Sequence, residues 1–151
     1  MKRVEKVTEN TKVAELVALL KKRRVPIIHE NADIKEVVDI VISFEPRRLL
    51  YVVDDEKKLV GCISLGTLAK HVFAPSHEPQ IHPRFLINMI TAETAKDIMK
   101  RKTVVATENE EAGMVLDRMI RTNTHEMPVL DDGKRVVADI TLIDLLRFLV
   151  K

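Results

Sequence analysis

The chain is poor in several residue types. It holds one cysteine, no tryptophan, four phenylalanines, one tyrosine and four glycines. Cys62, being alone, excludes a disulfide framework and a cysteine-rich zinc module, and it suits a reducing compartment. Phe44, Tyr51, Phe73, Phe85 and Phe148 are too few for the stacked aromatic platforms that hold single-stranded nucleic acid, so a planar ligand would have to be gripped by aliphatic side chains. No glycine-rich phosphate loop, nucleophile elbow or HExxH motif occurs. Charge of one sign is also lacking. The 25 basic and 23 acidic residues leave a formal +2, too near balance for bulk attraction to nucleic acid or a membrane surface. Apolar runs fall well short of the ~20 residues needed to span a bilayer. Met1–Asn10 is charged and lacks the apolar stretch of a signal peptide. The expectation is a cytoplasmic protein with no membrane attachment.

What is present supports an ordinary core. The 151 residues are 46% hydrophobic and 32% charged, enough for one domain or two small repeats. Apolar spacing predicts a helix within Thr11–Arg24, ending in the basic run Lys21–Arg24, and a short strand at Val25–Ile28 interrupted by Pro26. A second helix is expected over Ala32–Ser43, strands over Leu49–Val53 and Leu59–Ile63, and a helix from Leu65 to about Phe73. Pro75, Pro79 and Pro83 mark Ala74–Pro83 as a loop, followed by a short helix over Phe85–Ile90. The pattern then returns, with a strand at Thr103–Ala106, a helix at Glu110–Ile120, strands at Met127–Leu130 and Arg135–Ile140, and a closing helix at Leu142–Val150.

This return is an internal repeat. Adding 77 to each position superposes the halves without a gap from about Ile27 to Phe73. Ile27-Ile28 meet Val104-Val105, Val37-Val38 meet Met114-Val115, and Leu50–Asp55 meet Met127–Asp132. The expected fold class is mixed α+β (α/β), with two units of strand-helix-strand-strand-helix packed with pseudo-two-fold symmetry, plus an N-terminal helix. The division is 1–24 as a helical extension, 25–73 as the first repeat, 74–92 as an inter-repeat loop with a short helix, and 93–151 as the second repeat. Units this small do not easily cover both faces of a sheet, so they should pair and leave clefts where ligands bind.

The sharpest local signal is Thr141-Leu142-Ile143-Asp144, at the junction of the last strand and helix; its repeat-mate is Ser64-Leu65-Gly66-Thr67. One reading is a capping box, with hydroxyl at the N-cap and acid three residues on. The other is a ligand grip, in which hydroxyl and free amides favour phosphate and the carboxylate accepts both hydroxyls of a ribose. One residue pair can do both. His71, His77 and His82 could hold a metal, but solvated loop histidines are the simpler reading, and no metal is expected. Lys21–Arg24 is a weak nucleic-acid footprint without a recognition helix. Asp54-Asp55 and Asp131-Asp132 fall in hairpin turns and are explained by turn chemistry. Nothing nominates catalytic residues.

Taken together, the repeated unit, Ala95-Lys96-Asp97-Ile98-Met99, the run His125-Glu126-Met127-Pro128-Val129-Leu130-Asp131 and the Thr141/Asp144 pair resemble a tandem pair of cystathionine β-synthase (CBS) domains over almost all of Val25–Lys151. That resemblance implies a regulatory module, not an enzyme, which senses an adenosine nucleotide (AMP or ATP foremost, with ADP or S-adenosylmethionine as further candidates) and responds by a change of conformation or dimer arrangement. It further implies a homodimer, an unidentified regulated protein and no nucleic-acid partner. Under it, Asp144 anchors the ribose, Thr141 faces the phosphate side, Thr103 and Val104 flank the adenine, and Met127 and Pro128 form the other wall. Arg48 and His125 stand where basic residues of the family meet phosphates, although both suit a solvent-facing surface role equally. Ile27, Leu50 and Ser64 would form a weak second site, because Thr67 replaces the acid. Ala138 in place of the usual glycine, Asp139 in place of an apolar residue and Glu126 in place of an arginine depart from the family pattern. Thr67, Ala138 and Glu126 support the alternative of a ligand-free dimerisation scaffold with degenerate pockets.

Overall fold

The computed structural model describes residues 6–20, 23–45, 47–73 and 93–150. The expected loop and short helix over 74–92 lie outside these residues. So do His77 and His82. The described chain forms two compact units: residues 1–25 with 104–151, and residues 26–103.

In the unit of residues 26–103, β1 (Ile27–His29) runs parallel to β2 (Leu49–Val53), which pairs antiparallel with β3 (Leu59–Ser64), giving the order β1-β2-β3. Between β1 and β2 lies α2 (Ile34–Ser43), capped by the Asp33 carboxylate, which accepts the Glu36 amide at 2.8 Å. Helix α3 (Leu65–Phe73) leaves the end of β3. Ile34, Val37, Leu50, Val52, Ile63 and Leu68 make the core. The helical stripe of α2 and alternate positions of the strands meet in one apolar layer.

The other unit repeats this plan. Strands β4 (Ala106–Thr107), β5 (Glu126–Leu130) and β6 (Val136–Thr141) follow the order β4-β5-β6, with α5 (Ala112–Thr122) between β4 and β5 and α6 (Leu142–Val150) after β6. A register irregularity recurs at Val52/Val53 and Val129/Leu130. The turns match as well. Asp54 Oδ1 accepts the amides of Glu56 and Lys58, and Asp131 Oδ1 accepts those of Gly133 and Arg135, while Lys57 and Lys134 both take the left-handed conformation. Those aspartates are turn residues, as expected.

The gapless 77-residue register needs a correction. It holds from β2 onward, where Arg48 and His125 each give their carbonyl to the first amide of the following helix, Leu65 and Leu142, at 2.8 Å. Before β2 the counterparts stand 78 apart. Ile28 pairs with Val52 and Ala106 pairs with Val129, so Ala106, not Val105, takes the place of Ile28. Likewise Val37 and Val115 are both fully buried, whereas Met114 is 51% exposed. Burial of one helix face sets this register, and the connection after α5 is shorter than the one after α2, which restores the 77.

The opening helices are exchanged. Helix α1 (Val13–Leu19) packs with the second repeat: Val13 and Ala14 donate their amides to the Glu110 and Glu108 carbonyls, and Val13 and Leu16 are fully buried beside Met127, Val129 and Ile140. Helix α4 (Ala95–Ile98) packs with the first repeat: Ala95 and Lys96 donate to the Ala32 and Glu30 carbonyls. Helix α1 is therefore the counterpart of α4 and carries core side chains, so the described part of the extension set apart at 1–24 belongs to a packed unit. Helix α1 is also shorter than expected, ending at Leu19 with Leu20 as its C-cap. Pro26 disfavours helical geometry at Val25, and Arg23 is used elsewhere, as described below.

The exchange explains one glycine. Cys62 and Lys100 exchange backbone hydrogen bonds at 2.8 Å, which lays Met99 and Lys100 over Gly61. A Cβ on Gly61 would sit 2.5 Å from the Lys100 carbonyl oxygen and 2.7 Å from the Met99 sulfur. Its counterpart 77 positions on is Ala138, where a Cβ is accommodated. Gly61→Ala should therefore cost about 1–3 kcal/mol through overpacking, and Ala138→Gly only about 0.5–1 kcal/mol. Urea denaturation of the two variants checks the contrast.

Candidate functional site

In the unit of residues 1–25 and 104–151, strand β6 and helix α6 meet at Thr141, and the expected capping box is there. The Thr141 amide donates to Asp144 Oδ2 at 2.8 Å, and the Asp144 amide donates to Thr141 Oγ1 at 3.1 Å. Asp144 is only 3% exposed, and a second carboxylate, Asp139 of β6, is 2% exposed. Carboxylates this buried require a counter-charge. Arg23 supplies it: Nη1 donates to Asp144 Oδ1 at 2.8 Å, while Nη2 donates to the Asp139 carbonyl at 2.7 Å and lies 3.3 Å from its Oδ1. Burial pushes the Asp144 carboxyl upward, but the Arg23 guanidinium and the Thr141 amide outweigh that and hold it below the ordinary carboxylate range. The site thus contains a buried, ionised carboxylate at a helix N-terminus.

A cavity of about 150 Å³ adjoins this cluster, walled by Val17, Leu20, Val25, Val137 and Ala138 with Arg23 and Asp139 at its polar side. Glu126 stands directly across the sheet register from Thr141. The surroundings are aliphatic on one side and acidic on the other.

The matching place in the other unit differs in two ways. Ser64 Oγ accepts the Thr67 amide at 3.1 Å and donates to Thr67 Oγ1 at 2.9 Å, so the cap survives without a carboxylate. The space beside Gly61, which corresponds to the cavity beside Ala138, is filled by Met99 and the Lys100 backbone.

Comparison with known proteins bears on this architecture. A model of the CBS domain matches residues 22–74 and 95–151. The chain belongs to the CBS domain family. Its two CBS repeats are 30% identical, over 119 residues, to a stretch of L-aspartate semialdehyde sulfurtransferase from Methanocaldococcus jannaschii; the match takes in 79% of this chain and 20% of that protein. A homoserine O-acetyltransferase from Methanosphaera stadtmanae is 26% identical over 111 residues, 19% of its length. The chain thus spans about a fifth of the curated relatives it matches. Among solved structures, the CBS domain pair of protein MJ0100 in complex with 5′-methylthioadenosine and S-adenosyl-L-methionine is 28% identical, with a TM-score of 0.65 over 91% of this chain and 94% of that one. A CBS domain-containing protein from Thermotoga maritima is 27% identical, with a TM-score of 0.66 over 91% and 92% of the two chains.

The residues expected to bind ligand fall in both units. Val104, His125, Met127, Pro128, Thr141 and Asp144 belong to the unit of the second CBS repeat, and Thr103, Ile27, Arg48, Leu50 and Ser64 to the other. Strand β4 begins at Ala106, so Thr103 and Val104 precede it rather than opening it. The Thr103 hydroxyl is buried without a hydrogen-bond partner among the described residues. Met127 and Leu50 are core residues, 0% and 1% exposed, because alternation along the strands turns them inward; only their backbone is left for a ligand. Pro128 is buried beside Met127, and Ile27 and Ser64 are half-buried. Arg48 and His125 are exposed, and Arg48 lines a surface cavity of about 410 Å³ with Arg47, Glu45, Val41, Ile42 and Leu65. His71 lies 2.6 Å from Glu93, and no group of three metal-ligating side chains occurs among the described residues. No described helix is long and apolar enough to cross a membrane. Sequence reasoning missed Arg23. Asp139, an unexplained acid in a buried strand, was the signal that a cation had to face it.

The depressed Asp144 carboxyl predicts a pH dependence. Its contribution to stability is full above the unfolded value of about 4 and is lost as pH falls through the lower folded value, because the unfolded chain there binds more protons. Glu110, held low by Arg118 and also bonded to the Thr107 amide, adds in the same direction. The midpoint of thermal unfolding, followed by circular dichroism, should fall between pH 6 and pH 3, and the fall should be smaller in Asp144→Asn.

Proposed function

We propose that this chain is a regulatory binding module, not an enzyme, and that its competent site is built on Asp144 and takes an adenosine-containing ligand. The observation that carries this reading is the buried, ionised Asp144 carboxylate at the start of α6, beside a cavity with aliphatic walls. A carboxylate accepts both hydroxyls of a ribose, aliphatic walls hold a purine face in a chain this poor in aromatics, and the Thr141 hydroxyl and helix N-terminus add polar partners. The likeness to a CBS pair that binds 5′-methylthioadenosine and S-adenosyl-L-methionine supports the class of ligand.

The charge of the site narrows that class. Two buried carboxylates, Asp139 and Asp144, stand at the site and Glu126 lies across the sheet from Thr141, a gathering of acids that disfavours a polyphosphate. An adenosyl thioether or sulfonium suits this site better than AMP or ATP. The repeat-1 pocket at Ile27, Leu50 and Ser64 is the weaker of the two, since Thr67 offers no carboxylate and Met99 fills the space over Gly61. The module acts in the cytoplasm on a separate protein and works as a homodimer. Apolar side chains are exposed at matching places in both repeats, Ile42 and Phe73 in the first and Ile120 and Val150 in the second, the pattern of faces that pair with another copy.

Titration calorimetry with S-adenosylmethionine, 5′-methylthioadenosine, AMP and ATP tests the reading. Saturable heat is expected with the first two, weaker or none with ATP, and none with any of them in Asp144→Ala that retains its circular dichroism spectrum. Silence of the wild-type protein toward every adenosine compound would leave the second reading, a dimerising scaffold with degenerate pockets, which the missing acid at Thr67 already favours for the first repeat.

A further inference from the structure

We propose that Arg23 is a built-in competitor for the ligand site, bound to the Asp144 carboxylate in the ligand-free protein and evicted when a ligand enters. The inference rests on the reading of Asp144 given above and adds how access to that residue is controlled.

Three observations carry it. The first is occupancy. Arg23 Nη1 is on Asp144 Oδ1 at 2.8 Å, the Thr141 amide is on Oδ2 and Arg23 Nη2 reaches the Asp139 carbonyl at 2.7 Å, so the guanidinium stands where a ribose hydroxyl would approach Oδ1. The second is volume. Pockets for small molecules are roughly 300–1,000 Å³, and the cavity beside Ala138 is about 150 Å³ with Arg23 as part of its wall. Part of a nucleoside fits, and the rest needs the space that Arg23 fills. The third is an exit. The Arg23 side chain keeps 28% exposure, so it has a path to water that the two carboxylates lack.

Competition has a signature that a purely structural ion pair lacks. Apparent affinity is the intrinsic affinity multiplied by the fraction of molecules with the site open, so weakening the competitor tightens binding. Calorimetry with S-adenosylmethionine on wild type, Arg23→Gln and Arg23→Lys should give at least tenfold tighter binding to Arg23→Gln, with Arg23→Lys between the two. Limited trypsin digestion of the wild-type chain is the companion readout: S-adenosylmethionine should speed cleavage after Arg23 and Arg24. It keeps the proposal testable where Arg23→Gln does not fold. Binding to Arg23→Gln by a chain whose wild type is silent would support the proposal most directly. Equal or weaker binding to the variant, or ligand protection of the Arg23 bond from trypsin, would overturn the competitor and leave the ligand reading standing. No binding to either protein would overturn both.

Discussion

Two buried carboxylates sharing one guanidinium are the constraint on which the second CBS repeat is organised. Removing Asp139 and Asp144 from water carries a desolvation cost of several kcal/mol per ion unless charge and hydrogen bonds replace the lost solvent. Arg23 meets both at once, and the Thr141 amide takes the remaining Asp144 oxygen. This ties residues from before the first repeat to the last strand and the last helix. It also keeps an ionised group inside the fold, where its interaction with a polar ligand is little screened. The arrangement that stabilises the unit is thus the one a ligand would engage.

The two CBS repeats show how one plan diverges under local packing. Both keep the strand order, the register irregularity, the aspartate-closed turn and the carbonyl that receives the first amide of the closing helix. They part at two positions. Where the first repeat has Gly61, the short connection from α4 presses Met99 and Lys100 onto the strand and fills the space. Where the second has Ala138, the longer connection from α1 leaves a cavity and brings in Arg23. Thr67 against Asp144 follows the same division.

Much of this was legible in the sequence because hydrophobic periodicity is a local signal. The helices at 34–43, 65–73 and 142–150 and the strands at 49–53 and 59–64 fall close to where apolar spacing put them. The one-residue error before β2 arose where pattern matching had only β-branched runs to align, and Ile27-Ile28 slides over Val104-Val105 or Val105-Ala106 almost equally well. The Glu-Asn pair at 30–31 and again at 108–109 held the right register, since the Glu30 and Glu108 carbonyls receive equivalent amides from the opening helices. Met127, expected as a ligand wall, and Leu50, expected in the weaker site, are both turned into the core by their strands. Sequence spacing places a residue on a strand, while the side of the sheet that needs covering decides its orientation.

From the residues alone came the doubling of a strand-helix-strand-strand-helix unit and a carboxylate one turn into the last helix, because each is written in spacing along a single segment; the CBS family was reached through the resemblance of its motifs. Tertiary structure decided which opening helix serves which repeat, and that Arg23, 121 positions away from Asp144, is that carboxylate's partner. The pairing depends on where burial strands a charge, and no local pattern encodes that. Only when the folded chain has excluded water from Asp139 and Asp144 does the position of a cation become a requirement.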